Sequence, residues 1–155
     1  MLTMVKAACA FIAASLAAAP AYAEQPANLV SVPSQQDFDA TLAGLRAALD
    51  ARGFTTFAVI DHAKGAASIG EALRPTTLVI FGNPKGGTPL MQAEQTLGLE
   101  LPLKMLVAEG SDGTVTLYYL KIDKIVGTFG VTGQDQRLTA ISEALNAIAA
   151  EAAAH

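Results

Sequence analysis

The sequence predicts one α+β domain, a mainly antiparallel sheet of about five strands with two long helices packed on one face and short helical segments between strands. Three observations carry that expectation. Apolar residues recur at helical spacing in two stretches, Phe38, Leu42, Leu45 and Leu49 in one and Leu138, Ile141, Leu145 and Ile148 in the other. Five short runs rich in Val, Ile, Thr, Phe and Tyr lie between Gly, Pro or Asp punctuation. No internal repeat or linker-like stretch divides the chain.

Residues 1–23 read as a secretory signal peptide: Lys6 precedes the apolar run Ala7 to Ala19, and Ala21-Tyr22-Ala23 offers small residues for cleavage after Ala23. The run is shorter than the roughly 18 apolar residues of a membrane span and breaks at Pro20. A single domain over 24–155 is expected to remain, periplasmic or secreted. The leader holds the only cysteine, Cys9, so thiolate catalysis, disulfides and Cys-based metal sites are excluded from the mature chain. Of the charges, only Lys6 leaves with it, so 9 basic residues face 14 acidic ones and the net charge is −5. Without a basic run or any tryptophan, nucleic acid is not an expected partner, nor is a membrane once the leader is gone.

Along the mature chain, Leu29 to Val32 reads as a strand stopped by Pro33. Ser34 is the expected helix N-cap, with Asp37 three residues on, and Gly53 is placed to end that helix. Phe54 to Ile60 is a second strand, with Phe57 and Val59 on one face and Phe54, Thr56 and Ile60 on the other. Asp61 caps a weak helical link interrupted by Gly65 and Gly70. Thr77 to Phe81, a continuous apolar run, fits a strand buried on both faces. Helical structure follows between Lys85 and Leu97. Leu101 to Glu109 and Thr114 to Leu120 make a hairpin about Ser111-Asp112-Gly113. Gly127, Gly130 and Gly133 mark a loop, and the last helix is expected to fray into its alanine-rich tail.

The motifs Asp61-His62, Leu73-Arg74-Pro75-Thr76, Gly82-Asn83-Pro84-Lys85, Gly87-Thr88-Pro89-Leu90-Met91 and Leu101-Pro102-Leu103-Lys104 follow one another in an order that resembles the DUF302 family. The resemblance runs from about Phe38 to Tyr119 and departs in two places. Ala93-Glu94-Gln95-Thr96 lacks a proline, and the stretch after Tyr119 lacks an Asn/Asp-Pro and a later His. It implies a small sheet-and-helix domain of the TATA-binding-protein-like type, often self-associating, and supplies no chemistry.

Two places hold candidate site residues. His62, beside Asp61 at a strand end, has the side chain whose titration suits a general base or a ligand contact near neutral pH; a capping Asp beside a surface His is the structural alternative. The segment Gly82 to Thr88 offers glycines for close backbone approach, the charge of Lys85, and polar contacts from Asn83 and Thr88, the makings of an anion cradle at a helix start. Its glycines could equally serve the turn alone. If their strand ends coincide, Asp61, His62, Asn83, Lys85 and Thr88 form one site for a small, anionic ligand. No cofactor, metal or nucleophile elbow is indicated, so catalysis is not expected. A homodimeric interaction module without a small-molecule site and a hydrolase using His62 as base are the alternatives.

Overall fold

The structure, a computed structural model, describes residues 25–154, so the expected signal peptide and its cleavage point lie outside the described residues. The five strands are β1 (Leu29–Pro33), β2 (Thr55–Asp61), β3 (Thr76–Gly82), β4 (Leu103–Glu109) and β5 (Val115–Leu120). They form one sheet in the order β1-β5-β4-β3-β2, antiparallel at every junction. Five helices accompany them: α1 (Phe38–Ala51), α2 (His62–Ala67), α3 (Pro84–Ala93), α4 (Ile122–Thr128) and α5 (Asp135–Ala154). The α+β expectation holds, strand count included.

Helices α1 and α5 pack on each other and on one face of the sheet. Leu45, Ala48 and Leu49 of α1 and Leu145, Ile148, Ala149 and Ala152 of α5 meet Val79, Phe81, Met105, Val107 and Leu117 there, making the main core. The alanine tail does not fray but runs helical to Ala154, because small side chains let α5 approach α1 closely. Ala152 and Ala153 are buried for that reason.

Several boundaries differ from the sequence reading, each for a local reason. Asp37, not Ser34, caps α1, its Oδ1 accepting from the Ala40 N–H at 2.8 Å. The Ser34 and Gln35 N–H groups are still bonded to the carbonyls of Val115 and Ala153, so the chain has not yet turned into the helix. Gly53 does end α1 region with φ +68°, a left-handed conformation suited to glycine. In β2 a bulge at Phe57 breaks the alternation. Thr56 stands opposite Phe81 and Val59 opposite Val79, so those two share the helix-covered face instead of opposing it. Strand β3 is not buried on both faces: Thr77, Val79 and Phe81 are buried, whereas Leu78 and Ile80 are only half-buried. The helices cover a single side.

Glu94 divides the expected helix at 85–97 in two. Its extended backbone stops α3, and its carboxylate accepts from the Thr96 N–H at 3.0 Å to start a 3-10 turn, Gln95–Leu99. The supposed loop at Gly127 is the last turn of α4, whose Ile122 and Val126 bury with Leu90 and Leu97 in a second, smaller core. Gly130 and Gly133, at φ +70° and +72°, do form the connection to α5.

Candidate functional site

Strands β2 and β3 are neighbours, but they run antiparallel, and that divides the expected site. Asp61 pairs with Thr77, while Gly82 pairs with Thr55 at the other end of the ladder. At about 3.3 Å per residue the two clusters lie roughly 20 Å apart. Asp61 and His62 therefore do not meet Asn83, Lys85 and Thr88. The Asp61 carboxylate is engaged as the cap of α2, accepting from the Lys64 N–H at 2.9 Å. His62 is exposed in the first turn of α2, and no hydroxyl is hydrogen-bonded to it among the described residues.

The cradle of backbone N–H groups is also absent. Residues 84–88 are the first turns of α3 rather than an open loop. Pro84 has no N–H. Lys85 donates to the side-chain oxygen of Asn83 at 3.0 Å, and Gly86 and Gly87 donate to its carbonyl at 2.9 and 3.1 Å. Asn83 spends its remaining amide on the Gly53 carbonyl at 3.3 Å, tying the start of α3 to the turn that leads into β2. Asn83 is thus a structural hinge pin. Every donor of the first turn is taken, so any anion here is recognised by side chains.

What the same segment does build is a cavity of about 870 Å³. It lies where the C-terminal end of β3 and the start of α3 face α5 and the start of β4. Phe54, Phe57, Leu90, Met91, Leu101, Pro102, Leu103 and Ile141 make its walls mostly apolar. The bulge in β2 aims Phe57 here, leaving the ring 56% exposed. Gly82 keeps the floor open: a β-carbon on it would stand 3.1 Å from the Phe57 ring and 3.3 Å from Pro102.

Lys85 and Arg137 are the only charged side chains in that lining, and no carboxylate joins them. Arg137 is held in place, donating from Nε to the Gln134 side chain at 3.2 Å and from Nη1 to the Lys85 carbonyl at 3.1 Å. Thr88 lies on the same wall. Of the five expected residues, three reach the cavity and two do not. Arg137 was missed because the glycine loop before α5 hides which turn of that helix comes back to α3.

A smaller cavity of about 210 Å³ lies against the middle of α5, lined by Tyr119, Ser142 and Asn146 among others. The Tyr119 hydroxyl donates to Asn146 Oδ1 at 2.5 Å, and burial pushes its pKa above the ordinary tyrosine value. Among the described residues, no group of three or more His, Cys, Asp or Glu could hold a metal ion. No helix among them is long and apolar enough to cross a membrane.

Known proteins align with this arrangement in three ways. The fluoride-specific ion channel FluC 1 of Brucella suis biovar 1 (strain 1330) is 41% identical over 90 residues, covering 58% of this chain and 35% of that protein. FluC 1 of Brucella abortus biovar 1 (strain 9-941) matches equally, with 33% of its length covered. The chain thus spans about a third of the length of the curated relatives it matches. The crystal structure of an uncharacterized conserved DUF302 protein from Bacillus stearothermophilus has the same fold, with a TM-score of 0.75 at 18% identity over 82% of this chain and 99% of that one. The model for the domain of unknown function DUF302 matches residues 30–152, from the first strand to the last turns of α5, and the chain belongs to that family.

Proposed function

We propose that the domain is an exported binding module, without catalysis of its own, that holds an apolar molecule ending in an anionic group such as a carboxylate. One observation carries the reading: a cavity with mostly apolar walls has two cations, Lys85 and Arg137, and no acid in its lining, although the chain as a whole is acidic. Its volume, about 870 Å³, falls in the range of small-molecule sites, roughly 300–1,000 Å³. Apolar walls supply affinity through burial, and a fixed guanidinium supplies orientation through charge-assisted bonds.

Fluoride, named for the Brucella relatives, is a poor match to such a space, since a small hydrated halide gains nothing from apolar walls. Export is supported by the composition of Met1 to Ala23, and its test is the mass of the chain recovered from the periplasm, which should begin at Glu24.

Calorimetric titration with dodecanoate, dodecanol and sodium fluoride tests the ligand class. Dodecanoate should saturate one site per chain, dodecanol should bind at least tenfold more weakly, and fluoride should give no heat. Arg137→Gln should weaken dodecanoate about tenfold. Absence of dodecanoate binding to folded protein, or equal binding of acid and alcohol, overturns the reading.

A further inference from the structure

The two cations of the main cavity stand at its rim. Lys85 and Thr88 are exposed and Arg137 is half-buried, whereas Leu90, on the same helix as Lys85, is fully buried. A charged head at this edge keeps part of its water while an apolar tail occupies the interior. The desolvation that makes buried charge costly is then only partly incurred.

Neither cation is answered by a carboxylate. Among the described residues the ion pairs are Arg52–Glu151, Lys104–Glu100 and Lys124–Asp123. Asp135 and Glu143 of α5, and Glu100 and Lys104 beside the start of β4, lie outside the cavity lining, and α3 carries no charged residue besides Lys85. No histidine lines the cavity either. Arg137 commits Nε to Gln134 and Nη1 to the Lys85 carbonyl, two of the five N–H donors of a guanidinium, which leaves three. The second of these bonds holds its charge against the backbone that carries the Lys85 ammonium.

On the amphiphile-binding reading above, on which this rests, we infer that the cavity takes a dianionic head group, a phosphate monoester carrying an apolar tail, in preference to a carboxylate or another monoanion. A carboxylate brings one charge and two oxygens, so one of the two cations keeps no counter-charge. A phosphate monoester brings nearly two charges and three terminal oxygens. Arg137, oriented by its other bonds, supplies directional contacts; Lys85 supplies the second charge, and the Thr88 hydroxyl is a further donor. The first turn of α3 has no backbone donor to spare, so side chains alone hold the head group.

Calorimetric titration of the full protein as produced by cells, with octyl phosphate, octyl sulfate, octanoate and inorganic phosphate below micellar concentrations, tests this. Octyl sulfate has the same tetrahedral head but one charge at every pH used. At pH 8 octyl phosphate should bind at least about tenfold more tightly than each of the other three. Its second proton leaves near pH 6, so at pH 5 only about a tenth is dianionic and the preference over sulfate should shrink to about twofold. Lys85→Gln should cut the preference at pH 8 to about threefold or less, and Lys85→Arg, which restores the charge, should retain it. Circular dichroism at both pH values confirms the fold of each protein.

Equal affinity for octyl phosphate and octyl sulfate at pH 8 overturns the inference, as does a preference that persists at pH 5 or survives Lys85→Gln. Each of these leaves the amphiphile reading to stand on its own dodecanoate titration. Inorganic phosphate binding as tightly as octyl phosphate, or no binding of any octyl anion to folded protein, overturns both.

Discussion

The guanidinium of Arg137 donates to the backbone carbonyl of Lys85 at 3.1 Å, joining two cations 52 residues apart on the wall of one cavity. An anion bound in that cavity gains attraction from both charges. Arg137→Lys keeps the charge but loses the planar fork that reaches Gln134 and Lys85 together. Dodecanoate affinity should fall about tenfold, roughly 1.4 kcal/mol, and the affinity of the wild type should weaken as salt is added. Calorimetry at two ionic strengths checks both.

Gly82 faces the Phe57 ring and Pro102 at distances that leave no room for a methyl group. Gly82→Ala should cost about 1 kcal/mol of stability, because the half-exposed ring can rotate away. The displaced ring then occupies ligand space. Affinity should drop more than stability does, as a paired denaturation and titration experiment will show.

Where α1 crosses α5, a β-carbon on Gly44 would stand 3.3 Å from the Ala152 carbonyl oxygen and 3.4 Å from its α-carbon. Both are backbone atoms and cannot rotate aside. Gly44→Val should destabilise the domain by about 1–3 kcal/mol, since overpacking outweighs a helix-propensity gain of less than about 1 kcal/mol. The urea midpoint measures it.

Tyr119 is buried, and burial raises its pKa in the folded state. Stability linked to it is complete below the unfolded tyrosine value, near 10, and is lost as pH rises through the higher folded value, because the unfolded chain ionises first. Tyr119→Phe should flatten that alkaline decline. At neutral pH it should cost only about 0.5–1.5 kcal/mol for the bond to Asn146. Thermal melts between pH 7 and pH 11 separate the two effects.

His62→Ala should change neither stability, beyond about 0.5 kcal/mol, nor dodecanoate affinity, since its side chain is exposed and lies at the far end of β2 from the cavity. Asp61→Ala is different: it removes the cap of α2 and should cost about 1 kcal/mol.

The two helical stripes were legible because Leu45 and Leu49, and Leu145 and Ile148, repeat at 3.6-residue spacing and are all buried. The hairpin was legible from Asp112-Gly113, where Gly113 takes φ +81° and Asp112 accepts from the Thr114 N–H. Pairing order was not. Nothing local to Asp61 or Gly82 says whether their strands run together or opposed, and that sign alone decides whether His62 and Lys85 share a site. Local pattern also left open whether the glycines at 86 and 87 serve an anion cradle or the turn alone. Their neighbours Pro84 and Asn83 satisfy the helix start so fully that no donor is left over. Arg137 carries no signal of its own, because its role arises from tertiary contact with Lys85 across the fold.

The strand order has a consequence for how the chain acquires its shape. Leu29 to Pro33 can be zipped into the sheet only against Thr116 to Leu120, about three-quarters of the way along the sequence. The first strand must therefore wait, unpaired, until almost all the other elements exist. Contacts between such distant segments carry a large loop-closure cost, which places this domain among the slower folders of its size. A chain interrupted before Val115 would leave β1 without a partner, and the finished sheet fastens its first strand to its last.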